Sequence, residues 1–314
     1  MPVTPKCFAS HIGTWAILPR FLQGAVAAIR AGMWQNVGAA DARGEPRQPM
    51  SGTTVRDPDT AQPESGYPGD SMYHRTDEGV AVLELTGAMQ KGRSKFGGVS
   101  TVDQRRYLRA AVADRDVKTI LLVIDSPGGT VAGTQSLADD VRAADAMKPV
   151  LAHFEDLGAS AAYWTGSQAR RVSANRTAMV GSLGTFGVIE DSSGRAAAEG
   201  VVVHVISTGP HKGAFIDGAP VKPEQLQEYQ RMVDALNEEF IKAVAGGRRV
   251  SVESARKLFD GRVHLAAEAK ELLLIDAVES LDSALSEATR IALASGTEDD
   301  RARRTRTAGA KART

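Results

Sequence analysis

The stretch Thr119-Ile-Leu-Leu-Val-Ile124, followed by Asp125-Ser-Pro-Gly-Gly129, decides the fold class of this 314-residue chain. Its unbroken apolar run is typical of a strand that is covered on both faces of a sheet. The two glycines then permit a tight turn, and a helix is predicted from Val131 to Ala146. A buried strand that passes through a glycine turn into a helix indicates an α/β unit.

The same alternation of apolar runs and helical patterns continues on both sides of this unit. It predicts an α/β fold with a largely parallel sheet flanked by helices. The predicted strands cover residues 80–85, 119–124, 150–154, 171–173, 187–190 and 201–206, the last of these buried. The predicted helices cover residues 101–113, 131–146, 159–167, 223–245, 251–259 and 265–273.

Composition divides the chain into four segments. Residues 1–36 are expected to form an N-terminal amphipathic helical segment, because apolar residues recur there at roughly helical spacing. Residues 37–75 are rich in Gly, Pro and small polar residues and predict a flexible linker. Residues 76–290 form the predicted folded domain. Residues 291–314 are basic, with one large apolar residue after Ile291, and predict a disordered tail.

Charge and cysteine usage exclude several classes of protein. Lys plus Arg and Asp plus Glu both number 38, so the formal net charge is zero and nothing favours a specific nucleic-acid partner. A single cysteine, Cys7, excludes a disulfide framework. A membrane span needs about 20 mostly apolar residues, and charged residues and a proline interrupt the best candidate, residues 15–32. We therefore expect no transmembrane anchor and a cytoplasmic location.

Ser160 is a candidate nucleophile, within the run Gly158-Ala-Ser-Ala-Ala-Tyr-Trp164. Small neighbours leave room for a substrate backbone beside the hydroxyl. A helix N-terminus at this point would also bring backbone N–H groups near a developing negative charge. Taken alone, a serine among alanines is more often a helix packing contact or an N-cap.

Lys212 is a candidate general base in a loop after the predicted strand 201–206. Removal from water makes an ammonium easier to deprotonate, and a Ser-Lys pair is a recognised variant of the serine–histidine arrangement. An isolated loop lysine is usually a surface charge. His211 and His153 are rival bases, because histidine titrates near neutral pH.

Gly128 and Gly129 are candidate oxyanion donors. Glycine lets the backbone approach a ligand closely, and free N–H groups at such a turn can point at a developing oxyanion. A Gly-Gly turn after a strand is common, so the pair also fits an ordinary strand-to-helix turn.

Four motifs in order make the chain resemble the signal peptide peptidase A family of serine peptidases, of the Clp protease/crotonase superfamily. The resemblance covers about residues 78–285 and implies a Clp protease/crotonase-like fold. The motifs are Asp125-Ser-Pro-Gly-Gly129, Gly158-Ala-Ser-Ala-Ala-Tyr163, Gly181-Ser-Leu-Gly184 and Ser207-Thr-Gly-Pro-His-Lys212.

The resemblance implies a role for each site residue. Ser160 would be the nucleophile and Lys212 the general base of a serine endopeptidase. Ser182 would orient Lys212 by a hydrogen bond, and Gly128 and Ala161 would offer N–H groups to the oxyanion. The mechanism implies neither a metal nor an organic cofactor. Members of the superfamily form rings, so a homo-oligomer acting on protein or peptide substrates is expected.

Within the family the chain is most similar to the phage capsid-assembly (prohead) proteases. Trp15-Ala-Ile-Leu-Pro19 and the loop His211–Pro220 resemble phage members, and the membrane segment of bacterial members is missing. The branch implies cleavage of scaffold, capsid or portal proteins, and of the chain itself, in the host cytoplasm or inside the procapsid. The short tail departs from members with a long C-terminal scaffolding extension.

Three alternatives stay open. The chain could be a soluble bacterial homologue of signal peptide peptidase. It could be a crotonase-type acyl-CoA enzyme, which shares the oxyanion turn and needs no Ser-Lys pair. It could also be a non-catalytic component of a capsid.

Overall fold

The computed structural model describes residues 15–17, 51–56, 71–93 and 98–295. Its strands are β1 (Trp15–Ile17), β2 (Gly52–Arg56), β3 (Ser71–Thr76), β4 (Val80–Thr86), β5 (Met89–Gln90), β6 (Val99–Ser100), β7 (Thr119–Ser126), β8 (Gly128–Thr130), β9 (Val150–Ala159), β10 (Arg171–Ala174), β11 (Met179–Gly181), β12 (Val263–Leu265) and β13 (Ala277–Val278). Its helices are α1 (Thr101–Ala113), α2 (Thr134–Met147), α3 (Ala161–Gly166), α4 (Ser193–Ala198), α5 (Pro223–Arg248), α6 (Val252–Arg256), α7 (Ala266–Glu271) and α8 (281–295).

The main sheet of the described residues has the order β12-β11-β9-β7-β4-β3-β2, and β10 joins β9 to β13. The central pairs β4–β7, β7–β9, β9–β10 and β9–β11 are parallel. The edge pairs β2–β3, β3–β4 and β11–β12 are antiparallel. The predicted α/β fold with a largely parallel sheet is therefore confirmed.

Helices cover both faces of the central strands. One face packs against α1, α2, α3 and α5, with the rings of Trp164 and Phe240 stacked at 4.5 Å between centroids. On the other face, Leu121 and Val123 of β7 contact Ala284 and Ala288 of α8. Cover on both faces explains why the sequence of β7 shows no alternation of polar and apolar residues.

Strand β9 extends beyond its predicted end at Phe154 and reaches Ala159. Its register with β7 shifts, because Phe154 pairs with Ile124 whereas Gly158 pairs with Ser126. The first half of β9 pairs with β10 and the second half with β11. Two extra residues, a β-bulge, thus redirect the strand just before Ser160.

Two of the predicted strands are wrong. Residues 187–190 and 201–206 have no regular secondary structure, and the run 201–206 is largely exposed rather than buried, with Ile206 at 98% exposure. The β-branched residues of this run favour a strand, but a strand needs a neighbour to pair with, and among the described residues this run has none.

Short parts of the segments outside the predicted folded domain have regular secondary structure. Of the predicted N-terminal helical segment, only Trp15–Ile17 is described, and it forms a strand. Parts of the predicted linker, Gly52–Arg56 and Ser71–Thr76, are antiparallel edge strands of the main sheet. The helix 281–295 continues into the predicted tail and buries Ala292. The rest of these three segments lies outside the described residues.

Candidate active site

Ser160 occupies a strained elbow between β9 and α3. Its backbone has φ 56° and ψ −116°, in a region that non-glycine residues rarely adopt. Such strain costs on the order of 1–3 kcal/mol and persists only where the surroundings enforce it. The strand before the elbow and the buried helix after it, with Tyr163 and Trp164 in the core, supply that enforcement. A strand–serine–helix elbow of this kind presents a nucleophile in hydrolases.

The Ser160 hydroxyl is buried and has no hydrogen-bond partner in the described part of the chain. Buried hydroxyls are normally satisfied, so an orphan in a strained turn is a signature of a functional group. The backbone N–H and carbonyl of Ser160 itself are engaged: its N–H donates to Gly181 O (2.8 Å), and the Trp164 N–H donates to Ser160 O (2.8 Å). Ala161, the first residue of α3, follows the serine directly.

Ser182 lies beside Ser160 at the adjoining strand end. In the parallel pair β9–β11, Ala159 is opposite Gly181, so the two serines follow at the same level of the sheet. Ser182 is buried, has φ 52°, and donates its N–H to Arg262 O (2.6 Å). The topology thus brings together two serines that are 22 residues apart in the chain.

The glycine turn lies on the other side of Ser160. Ser126 at the end of β7 is opposite Gly158, and Gly128 follows with φ 91°, which favours glycine. The next residue, Gly129, packs so closely on the Met89 carbonyl that a Cβ would overlap it. Strand ends of neighbouring parallel strands therefore place Gly128, Ser160 and Ser182 in one row.

Ser126 lies within the motif Asp125–Gly129, but the sequence predicted no role for it. Its buried hydroxyl donates to Gly87 O (2.7 Å) and accepts the Gly128 N–H (3.2 Å). Ser126 therefore fixes the glycine turn. The Gly128 N–H, expected to be an oxyanion donor, must exchange this long hydrogen bond for a substrate oxygen before it can act. The signal in the sequence was a serine directly before the Pro-Gly-Gly turn.

The chain does not bring Lys212 to Ser160. Lys212 lies in turns within an exposed segment, residues 185–222, which we call the arm. Its ammonium has no hydrogen bond or ion pair with any described residue. The arm packs on the first half of α5, where Phe215 meets Tyr229 edge-to-face at 5.6 Å and the Pro210 carbonyl accepts a hydrogen bond from Gln225 (3.3 Å).

The two rival bases differ in position. His211 lies on the exposed arm beside Lys212. His153 is fully buried in the middle of β9, where its ring is within 2.9 Å of Ser173 Oγ and 3.2 Å of Asn175 Oδ1. The strand residues 154–159, including the bulge, separate His153 from Ser160. A histidine held by two partners in the sheet interior serves the packing of β9 and β10.

Comparison with known proteins shows which proteins the chain is similar to. Residues 142–294 match the model of peptidase family S49. The predicted resemblance to these peptidases is confirmed. The S49 match includes Ser160, Ala161, Ser182 and Lys212, whereas the glycine turn at 128–129 precedes it.

Two curated relatives illustrate the similarity. "Protease 4" of Salmonella typhi is 30% identical over 214 residues, which are 68% of this chain and 34% of the relative. "Capsid assembly protease C" of Escherichia phage lambda is 29% identical over 198 residues, 59% of this chain and 43% of the relative. The chain thus spans less than half the length of either relative.

Among solved structures, the ClpP protease catalytic domain from Plasmodium falciparum has a TM-score of 0.41 with this chain, at 13% sequence identity. The match covers 63% of this chain and 85% of that chain. In the described part of the chain, no helix has the length and hydropathy needed to cross a bilayer.

Proposed function

We propose that this chain is a serine endopeptidase in which Ser160 is the nucleophile and Lys212 the general base. The observation that carries the proposal is the buried, unpartnered Ser160 hydroxyl on a strained elbow, flanked by Ser182 and the glycine turn. The S49 match over Ser160, Ser182 and Lys212 supports the same assignment.

The proposed reaction proceeds through an acyl-enzyme. Neutral Lys212 Nζ takes the Ser160 proton while Oγ attacks the peptide carbonyl, and N–H groups of the glycine turn and of Ala161 hold the oxyanion. The intermediate collapses, and Lys212 delivers the proton to the leaving amine. Water then attacks the ester, Lys212 accepts its proton, and Oγ leaves protonated. Ser182 positions the Lys212 amine.

Lys212 must reach Ser160 from a neighbouring copy of the chain or through a rearrangement of the arm. The arm favours the first route, because Val202 and Ile206 are 74% and 98% exposed and would be covered by a second copy. Covering the arm would also remove Lys212 from water, which a lysine base requires. We therefore propose a homo-oligomer with composite sites.

Substitution of the two catalytic groups tests the activity. Ser160→Ala and Lys212→Ala should each lower cleavage of fluorescein-labelled casein at least about a thousandfold, whereas His211→Ala should stay active. Cleavage by Ser160→Ala at the original rate would remove the serine assignment. Loss of activity in His211→Ala with retention in Lys212→Ala would transfer the role of base to the histidine.

Mixing the two inactive variants tests whether sites are composite. When Ser160→Ala and Lys212→Ala chains are dissociated and reassembled together, about a quarter of the sites in a randomly mixed ring combine an intact serine with an intact lysine. Activity should reappear in the mixture in that proportion. A mixture that stays inactive, although mass measurements show mixed oligomers, would mean that each site lies within one chain.

For the biological role we propose head maturation of a phage or prophage, with scaffold, capsid or portal proteins and the chain itself as substrates in the host cytoplasm or procapsid. The name of the lambda relative, a capsid assembly protease, supports this role. A bacterial peptidase resembling Protease 4 is the second candidate. Portal and major capsid genes beside the coding gene would favour the first.

An active-site serine probe distinguishes the other classes of function. A fluorophosphonate should label wild-type protein and leave Ser160→Ala unlabelled. A non-catalytic capsid component would show no labelling that depends on Ser160. An acyl-CoA enzyme would bind immobilised coenzyme A, which a peptidase should not retain.

A further inference from the structure

The strand Trp15–Ile17 (β1) lies along the outer edge of the glycine strand β8. The pairing is antiparallel, with Trp15 opposite Thr130, Ala16 opposite Gly129 and Ile17 opposite Gly128. The small sheet has the order β1-β8-β5-β6. Without β1, the edge of β8 would present unpaired backbone N–H and C=O groups.

This edge adjoins the nucleophile. Strand β8 starts two residues after β7 ends, and helix α3, which begins directly after Ser160, packs against β8. Gly128, the first residue of β8, belongs to the row of strand ends that contains Ser160. Ile17, opposite Gly128, therefore marks the end of β1 nearest the nucleophile.

The direction of β1 is that of a peptide presenting a carbonyl to Ser160. Its chain runs from Trp15, at the far end of β8, to Ile17, at the near end, so it approaches the elbow in the N-to-C direction, as an acyl segment bound there would. Addition of an extended peptide to a sheet edge uses main-chain hydrogen bonds that any sequence can make. The edge of β8 is thus suited to binding an extended peptide segment.

We propose that Trp15–Ile17 is an internal occupant of the peptide-binding edge of β8, and that another peptide binds there only after this strand has left. The consequence for catalysis rests on the proposed peptidase function, whereas the competition for the edge does not. An attached strand has an effective concentration that is on the order of 1 mM for short flexible linkers and falls slowly as the linker lengthens. A peptide present at micromolar concentration therefore competes poorly until the internal strand is weakened.

Proline substitutions in β1 weaken its pairing selectively. The N–H groups of successive strand residues point to opposite sides, so either Ala16 or Ile17 directs its N–H at β8. One of Ala16→Pro and Ile17→Pro must then remove a ladder donor. Ala9→Pro, which precedes Trp15–Ile17 in the sequence, is the matched control. All three are made in the full chain carrying Ser160→Ala, so that the probe is not cleaved.

Two measurements report on the edge without requiring activity. The first is binding of a fluorescent synthetic peptide with the sequence of residues 13–19, Gly-Thr-Trp-Ala-Ile-Leu-Pro, with a scrambled peptide as control. The second is hydrogen exchange of the segment 128–130 by mass spectrometry, with β7 as an internal reference for the fold. Ala16→Pro or Ile17→Pro should bind the peptide at least about tenfold more tightly than Ala9→Pro, and exchange at 128–130 should accelerate while β7 is unchanged.

Equal peptide affinity and equal exchange in all three variants would overturn the proposal. Accelerated exchange in β7 would mean that a proline variant has disturbed the fold. In that case the chain that carries only Ser160→Ala tests the proposal. There, excess peptide should expose the amides of residues 15–17, and their continued protection would contradict displacement.

A parallel measurement in chains that retain Ser160 separates this proposal from the peptidase assignment. The proline variants that bind peptide should cleave labelled casein faster than the Ala9→Pro chain. Tighter peptide binding without cleavage by any chain would contradict the peptidase function and support the proposal that β1 occupies the edge of β8. Cleavage that is equally fast in all chains, with unchanged peptide binding, would support the peptidase function and contradict the proposal that β1 occupies the edge of β8.

Discussion

Two apolar runs of similar composition, residues 119–124 and 201–206, have opposite environments in this chain. Ile124 is fully buried between β4 and β9, whereas Ile206 is 98% exposed in the arm. Each run precedes a glycine-containing turn that carries a motif of the candidate site. An apolar run therefore predicts that its side chains will be buried. The strands and helices that lie beside it decide whether the same chain buries them.

The largest expected effect is on the free energy of unfolding at the buried run. Ile124→Ala should lower it by about 2–5 kcal/mol, because the substitution leaves a cavity between packed strands. The matched change in the arm, Ile206→Ala, should alter it by no more than about 0.5 kcal/mol. Urea unfolding of dissociated chains measures both, and equal losses would mean that the arm is buried within one chain.

A smaller effect is expected at the elbow that follows β9. Ser160→Gly should stabilise the chain relative to Ser160→Ala, because glycine removes about 1–3 kcal/mol of backbone strain and costs about 0.5–1 kcal/mol in unfolded-state flexibility. Both variants lack the hydroxyl, so urea unfolding of the pair isolates the Cβ. A glycine variant less stable than the alanine variant would show that the elbow is unstrained.

The acid sensitivity of the sheet edge gives a third prediction. Arg248 donates to Asp276 (2.7 Å), and the Val172 N–H donates to the same carboxylate (2.7 Å). Burial opposes ionisation of Asp276, but these hydrogen bonds outweigh it and lower the pKa of this carboxyl below its ordinary value. A carboxyl with a lowered pKa stabilises the fold above its unfolded-state pKa, about 3.9, and this stabilisation is lost as the pH falls through the folded-state value.

Asp276→Asn should therefore cost on the order of 1 kcal/mol near neutral pH, and the difference from wild type should vanish as the pH falls below about 3.9. Urea unfolding across this pH range measures it. Asp139→Asn, at an exposed aspartate of α2, is the control and should show no difference at any pH. A constant difference for Asp276→Asn would assign its cost to packing rather than to charge.

The smallest effect on the stability of a single chain is expected for Ile206→Asp, within about 0.5 kcal/mol. The same change should disrupt association, because it places a charge where a second copy would cover the arm. Sedimentation velocity of Ile206→Asp beside Glu199→Gln, an exposed position outside the run, measures this. Unchanged oligomers in Ile206→Asp would show that the arm is not the contact.

The sequence alone determined the strands and helices in which the local residue pattern agrees with the burial that the fold provides. The helix 101–113 was predicted at its observed bounds, and the strands at 80–85 and 119–124 to within two residues. Their apolar residues are buried by adjacent strands and by helices, among them the distant α8, so local pattern and tertiary cover agree. The run 201–206 obeys the same local rules, so periodicity could not reveal that no strand of the described chain pairs with it.

For the candidate site, the sequence determined which residue types are present, and the tertiary structure decided which of them meet. Parallel pairing of β9 with β7 and β11 brings Ser160 between Gly128 and Ser182, a proximity set by register rather than by spacing along the chain. The same topology leaves Lys212 on an exposed arm. Local propensity acts over a few residues, whereas the pairing of strand ends depends on burial across the whole sheet.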